Sequence, residues 1–134
     1  MRFLFVCVHN AGRSQMAEAL LNHRAKELGV DAVAESAGTA SGKALNSAAV
    51  EVLREIGISM EGQAPKLLTA EMVARADRTL SMGCGVDAEA CPTRFVVTED
   101  WGLDDPAGQP IEVVRAIRDQ IAHRVDQLLR DCAR

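Results

Sequence analysis

Two rhythms of apolar residues alternate along this chain. Arg2–Val8 (RFLFVCV) is a short, nearly continuous apolar run that stops at His9-Asn10-Ala11-Gly12. A run of that length bounded by loop-forming residues predicts a buried strand. From Arg13 to Leu28 the spacing changes: Met16, Ala17, Leu20, Leu21 and Leu28 recur at helical intervals, and Gly29 supplies a stop. Val30–Ala37 predicts a second strand, ended by Gly38-Thr39. Asn46 is placed to cap a helix bearing Ala49, Val52, Leu53 and Ile56, with Gly57 beyond its end. Thr69–Ala74 predicts a short helix and Arg78–Ser81 a strand. The Gly- and Cys-bearing stretch Met82–Pro92 predicts a loop, and Phe95–Thr98 a further strand. The last helix is expected from about Ile111 to Arg130, with Val114, Ile117, Ile121, Val125 and Leu128 three or four residues apart.

Strands alternating with helices imply a parallel sheet with helices on both faces. The expected fold class is therefore α/β: a three-layer αβα arrangement on four parallel strands, of the small doubly wound, flavodoxin-like kind. No repeat, low-complexity segment or linker interrupts the pattern, so residues 1–134 are expected to form one domain.

Composition narrows the function. With 48% apolar residues the chain is expected to be globular, and a net charge of −4 with no basic run disfavours nucleic acid as a partner. Any anion must then be held by a local, preorganised site. The opening apolar run is too short for a signal segment, and no stretch is long enough to span a membrane. A soluble cytoplasmic protein, monomeric by default, is the expectation. Four cysteines, Cys7, Cys84, Cys91 and Cys132, then ask for a redox or metal role before a structural disulfide.

The strongest chemical signal is Cys7-Val8-His9-Asn10-Ala11-Gly12-Arg13-Ser14, a C-x5-R-S loop between the first strand and the first helix. Ligands of open parallel sheets bind beyond the carboxyl ends of strands, where this loop lies. Its length suffices to curl backbone amides around a tetrahedral oxyanion, aided by the helix N-terminus and a two-pronged Arg13 contact. Asn10 and Gly12 tolerate the unusual backbone angles of such a nest. The same field is expected to depress the Cys7 pKa, with Ser14 donating a hydrogen bond to the thiolate. Val8, His9, Asn10, Ala11, Gly12, Arg13 and Ser14 are thus the candidate substrate-binding residues. His9 receives no catalytic role.

On this loop (VCVHNAGRSQMAEAL), on Glu35–Thr39 (ESAGT) and on Trp101–Gly108 (WGLDDPAG), the whole chain resembles the low-molecular-weight protein tyrosine phosphatase superfamily. Its cysteine pattern is similar to that of the arsenate reductases built on that fold. The resemblance implies Cys7 as nucleophile, Arg13 as oxyanion ligand and Asp105, directly before Pro106, as proton donor to the departing oxygen. Asp104 is the alternative carboxylate. It also implies that Cys84 and Cys91 are resolving cysteines: Cys84 attacks Cys7, arsenite leaves, and Cys91 moves the disulfide to Cys84–Cys91. An external thiol then reduces that bond, thioredoxin by the three-cysteine set or mycothiol by likeness to actinobacterial relatives. Cys132 is a spectator. No tightly bound cofactor is expected, although some relatives hold potassium near the positions of Asn10, Glu18 and Ser36.

Two departures bear on substrate. The related phosphatases follow Asp-Pro with tyrosines that flank an aryl ring, whereas this chain has Ala107-Gly108 and no tyrosine. They also carry a second cysteine where Gly12 stands. Phosphotyrosine is therefore disfavoured. A phosphatase of small phosphoesters remains the alternative, and a non-catalytic oxyanion or redox sensor the third reading. Structural zinc is disfavoured, because Cys84 and Cys91 are six residues apart with no second ligand pair.

Overall fold

In the computed structural model, residues 1–40, 42, 44–82 and 99–132 are described. The elements run β1 (Arg2–Cys7), α1 (Arg13–Leu28), β2 (Val33–Gly38), α2 (Ser47–Arg54), α3 (Ala70–Arg75), β3 (Arg78–Ser81), β4 (Glu99–Asp100) and α4 (Ile111–Cys132). All strand pairings are parallel and the order across the sheet is β2-β1-β3-β4. The chain leaves β1 to one side for β2 and later returns to the other side for β3. Such a reversal opens a crevice at the carboxyl end of the central strand, and the Cys7 loop starts there.

Alternation along β1 sorts the core. Phe3, Phe5 and Cys7 pack with α1, α2 and α4 on the larger apolar face, while Leu4 and Val6 pack with Leu68 and Met72 of the α3 region on the smaller one. Arg118 of α4 donates to the Val52 carbonyl (2.8 Å) and to Glu55 (3.0 Å), fastening α4 to α2. Among the described residues, no helix is long and apolar enough to cross a membrane.

α1 and β3 occur with the expected bounds, and other expected elements occur with shifted ends. The second strand begins at Val33, not Val30, because Val30 is used to end α1: Gly29 takes φ +68° and the Val30 amide donates back to Ala25 (2.9 Å). Leu28, expected on the apolar face, is 61% exposed at that end. Asn46 and Thr69 cap α2 and α3, their side chains accepting from the amides of Ala49 and Met72. Thr69 thus lies outside the helix expected to include it. The strand expected at Phe95–Thr98 lies outside the described residues, which resume at Glu99 in β4.

Candidate active site

The Cys7 loop is built by turning every carbonyl outward. Thr39, Ala40, Gly42 and Asn46 donate their backbone amides to the carbonyls of Cys7 (3.0 Å), Val8 (2.8 Å), His9 (3.0 Å) and Ala11 (2.8 Å). The Asn10 carbonyl accepts from Gln15 Nε2 (3.1 Å), and that of Gly12 from the Met16 amide in α1 (2.9 Å). In a planar trans peptide the N–H points opposite to the C=O. With the carbonyls of residues 7–12 directed away, the amides that follow them are directed into the loop, as an anion nest requires. The segment after β2 can run this close only because of glycine. A Cβ on Gly38 would lie 2.5 Å from the Val8 carbonyl oxygen, and one on Gly42 would lie 2.8 Å from that of His9.

Asn10 is the pivot. It adopts φ +54°, a left-handed conformation that asparagine tolerates, and its side chain is fully buried. Its Nδ2 donates to Ser14 Oγ (2.8 Å), while its Oδ1 accepts from Gln15 Nε2 (2.8 Å) and the Lys66 amide (2.9 Å). Gln15 also reaches the Ala64 carbonyl and accepts from Gln63 Nε2 (2.7 Å). The sulfur of Cys7 receives the Asn10 amide (3.2 Å) and lies 2.9 Å from Ser14 Oγ. Because Ser14 Oγ already accepts from Asn10, its own hydrogen is free to donate to the sulfur. This arrangement favours thiolate over thiol.

A cavity of about 220 Å³ opens over the loop. Cys7, Val8, His9, Ala11, Gly12 and Arg13 form its floor and rim, and Asn46, Asp105, Pro106 and Ala107 its wall. Of the seven expected binding residues, Asn10 and Ser14 therefore stand behind the loop rather than in the cavity. Arg13 is more committed than expected. Its Nη1 donates to the carbonyls of Met82 (3.1 Å) and Leu103 (2.6 Å), leaving the Nε–Nη2 edge for an anion. Nη2 stands 4.0 Å from Asp105 Oδ2. The Asp105 carboxyl is 65% exposed and also accepts from the Ala107 amide (3.0 Å), so the Asx-type turn and the place beside Arg13 coexist. Asp104 is exposed and does not line the cavity. Cys84 and Cys91 lie outside the described residues; Cys132 is free, 3.8 Å from Met1 Sδ.

Sequence reasoning missed the Gln15–Gln63 support, the strap made by Thr39, Ala40, Gly42 and Asn46, and Lys66. Asn46, a helix cap by sequence, also lines the cavity. Of the three groups named for potassium, two touch directly, the buried Glu18 carboxylate accepting from Ser36 Oγ (3.0 Å), while Asn10 is linked to them through Lys66, whose backbone amide it binds. Lys66 Nζ itself stands 3.4 Å from Glu18 Oε1.

A cysteine thiol at the centre of an amide nest, with an arginine and an adjacent carboxyl on a doubly wound sheet, defines a class of oxyanion-binding proteins equipped for nucleophilic attack. Residues 2–134 match the family model described as low molecular weight phosphotyrosine protein phosphatase, and the chain belongs to that family. It is 36% identical over 132 residues to a putative arsenate reductase of Halobacterium salinarum, covering 95% of this chain and 89% of that one. Its fold is similar to the crystal structure of a low molecular weight protein tyrosine phosphatase from T. tengcongensis (TM-score 0.84, 32% identity, 98% and 99% of the two chains). It is also similar to the structure described as an arsenate reductase in the phosphate binding state (TM-score 0.80, 32% identity, 98% of each chain).

Proposed function

We propose that this protein reduces arsenate to arsenite with its own thiols. The observation that carries the reading is the nest around Cys7, whose outward-bonded carbonyls leave inward amides for a tetrahedral oxyanion. Among the described residues its wall is formed by Asn46, Asp105, Pro106 and Ala107, and none of the residues lining the cavity is Phe, Tyr or Trp, the side chains that would stack on an aryl ester. Arsenate has the charge and shape of phosphate, and the likeness to proteins called arsenate reductases supports it as substrate.

In this reading the Cys7 thiolate attacks arsenic and an oxygen leaves as water, taking a proton from Asp105. The Cys84 thiolate then attacks the Cys7 sulfur. The S–As bond breaks with its electron pair kept by arsenic, which leaves as arsenite, and a Cys7–Cys84 disulfide remains. Cys91 next attacks Cys84, freeing Cys7 and forming Cys84–Cys91. An external thiol system, thioredoxin in our preferred reading and mycothiol otherwise, restores both thiols. No bound cofactor enters the scheme. Lys66 supplies a cation at Glu18, so no potassium ion is required there. We place the protein in the cytoplasm, as a monomer, where thiols are kept reduced.

The second reading, hydrolysis of small phosphoesters, is favoured by one fact: nucleophile, arginine and acid make a complete phosphatase set without Cys84 and Cys91. Incubating reduced, purified protein with arsenate and no reductant separates the two. One arsenite released and two thiols lost per chain is expected; unchanged thiols beside rapid release of phosphate from a small ester would overturn the reductase reading.

A further inference from the structure

Among the described residues, the wall of the cavity carries two polar side chains, Asp105 and Asn46, beside Pro106 and Ala107. Asn46 is anchored twice. Its backbone amide donates to the Ala11 carbonyl of the nest (2.8 Å), and its Oδ1 accepts from the Ala49 amide as the cap of α2 (3.1 Å). The cap also decides which end of the side-chain amide is which, because an N–H turned toward the Ala49 amide would set donor against donor. Nδ2 is therefore the end left over, and among the described residues it has no hydrogen-bond partner. Asn46 is half-buried, so solvent can serve its N–H groups until an anion takes its place.

A tetrahedral anion attacked by Cys7 turns three oxygens onto the nest and Arg13, and one away from the sulfur, toward the wall. We propose that Asn46 Nδ2 is the hydrogen-bond donor to that outward oxygen. The contact favours a free inorganic oxyanion over an ester, whose outward oxygen carries carbon. The proposal rests on the reading of the Cys7 loop as an oxyanion nest. Serine and aspartate cap a helix as well as asparagine does. Asparagine alone adds a second polar atom that donates. The outward oxygen is also the one that Asp105 protonates, so the two wall side chains divide the work. The amide orients the oxygen, and the carboxyl supplies its proton.

Phosphate and methylphosphonate provide the test, since they differ at the outward position, an oxygen in one and a methyl group in the other. Asn46→Ser keeps the cap, but its single side-chain oxygen is the cap acceptor, so its Tm should stay close to that of the wild type. Calorimetric titration of the reduced protein, at a pH that makes both anions divalent, reads the contact. Asn46→Ser should raise the Kd for phosphate by about 3-fold to 10-fold, the scale of one hydrogen bond, and that for methylphosphonate by less than about 1.5-fold. Equal losses for the two anions overturn the proposal, as does an unchanged Kd for phosphate. Should Asn46→Ser fail to fold, Asn46→Thr, which also caps, must show the same selective loss, and an unselective one overturns the proposal. If the wild type binds neither anion, the nest reading fails and this contact with it. If the selective loss is found but the wild type reduces no arsenate, the contact stands and only the reductase reading falls.

Discussion

Between Cys7 and Gly12 each backbone carbonyl has an outside donor, and the loop's one left-handed residue is fixed by three side-chain hydrogen bonds. Across the cavity, the Asp105 carboxyl is 65% exposed and has two described contacts, the Ala107 amide of its own turn and Arg13 at 4.0 Å. In the mechanism proposed above, the difference follows from what each side does. Amides that are to stabilise developing charge must be aimed before the substrate arrives, since reorienting them during the reaction would cost the energy they supply. A proton donor must instead remain in contact with solvent, to be recharged and to let water leave. The nest is overdetermined, and the acid turn is lightly tethered.

Cys7→Ser is the most severe break on the nest side. Arsenate turnover should fall to background, since a hydroxyl is a far weaker nucleophile than a thiolate, while phosphate still protects the loop with nearly unchanged affinity. Arsenite release checks the first half, and titration with phosphate followed by the fluorescence of Trp101, the single tryptophan, checks the second. Arg13→Lys comes next, because Arg13 belongs to both sides. An ammonium cannot hold the Met82 and Leu103 carbonyls and also present a planar edge to an anion. A loss of about 100-fold to 1,000-fold in kcat/KM is expected. The inhibition constant for phosphate should rise in parallel; an unchanged constant would remove Arg13 from the anion.

On the acid side, Asp105→Asn should lower kcat by about 100-fold with little change in phosphate affinity. Asp104→Asn should cost much less, and the reverse order in steady-state kinetics would move the acid to Asp104. Asn10 separates conformation from hydrogen bonding. Asn10→Ala loses buried bonds and leaves at φ +54° a residue that tolerates the left-handed region less well than asparagine, costing about 1–3 kcal/mol in denaturant unfolding. Asn10→Gly loses the same bonds but accepts the backbone angle, and should retain more stability and tighter phosphate binding than Asn10→Ala. The smallest effect lies far from the cavity. Hydrogen bonding to Arg75 holds the Glu35 carboxyl below its ordinary pKa, so this pair stabilises the fold above the ordinary glutamate range and loses that contribution as pH falls through the lowered value. Glu35→Gln should therefore lower Tm slightly at neutral pH, with the gap closing in acid.

How much of this was legible beforehand follows the same division. The Cys7–Ser14 loop and Asp105-Pro106 were readable because their chemistry is carried by residue types at short spacing. The strap over the loop was not, because its donors are backbone amides of Thr39, Ala40, Gly42 and Asn46, which any sequence possesses. Only Gly38 and Gly42 hinted that two backbones approach there. Lys66 and Gln63 were invisible for another reason. They reach Asn10, Gln15 and Glu18 from about 50 positions along the chain, a juxtaposition that arises when the segment before α3 pairs with Gly38. The early start assigned to β2 shows the same limit at small scale: Val30 has a strand-forming side chain, but its amide is drawn into the helix stop.

The reduction of arsenate by Cys7 and its two partners is tested most directly by trapping the enzyme midway. Cys91→Ser, fully reduced and given arsenate, should release one arsenite per chain and stop, and peptide mapping by mass spectrometry should find Cys7 joined to Cys84. Repeated turnover by Cys91→Ser with a thioredoxin-type reductant, or a main disulfide that leaves Cys7 free or uses Cys132, would contradict the account.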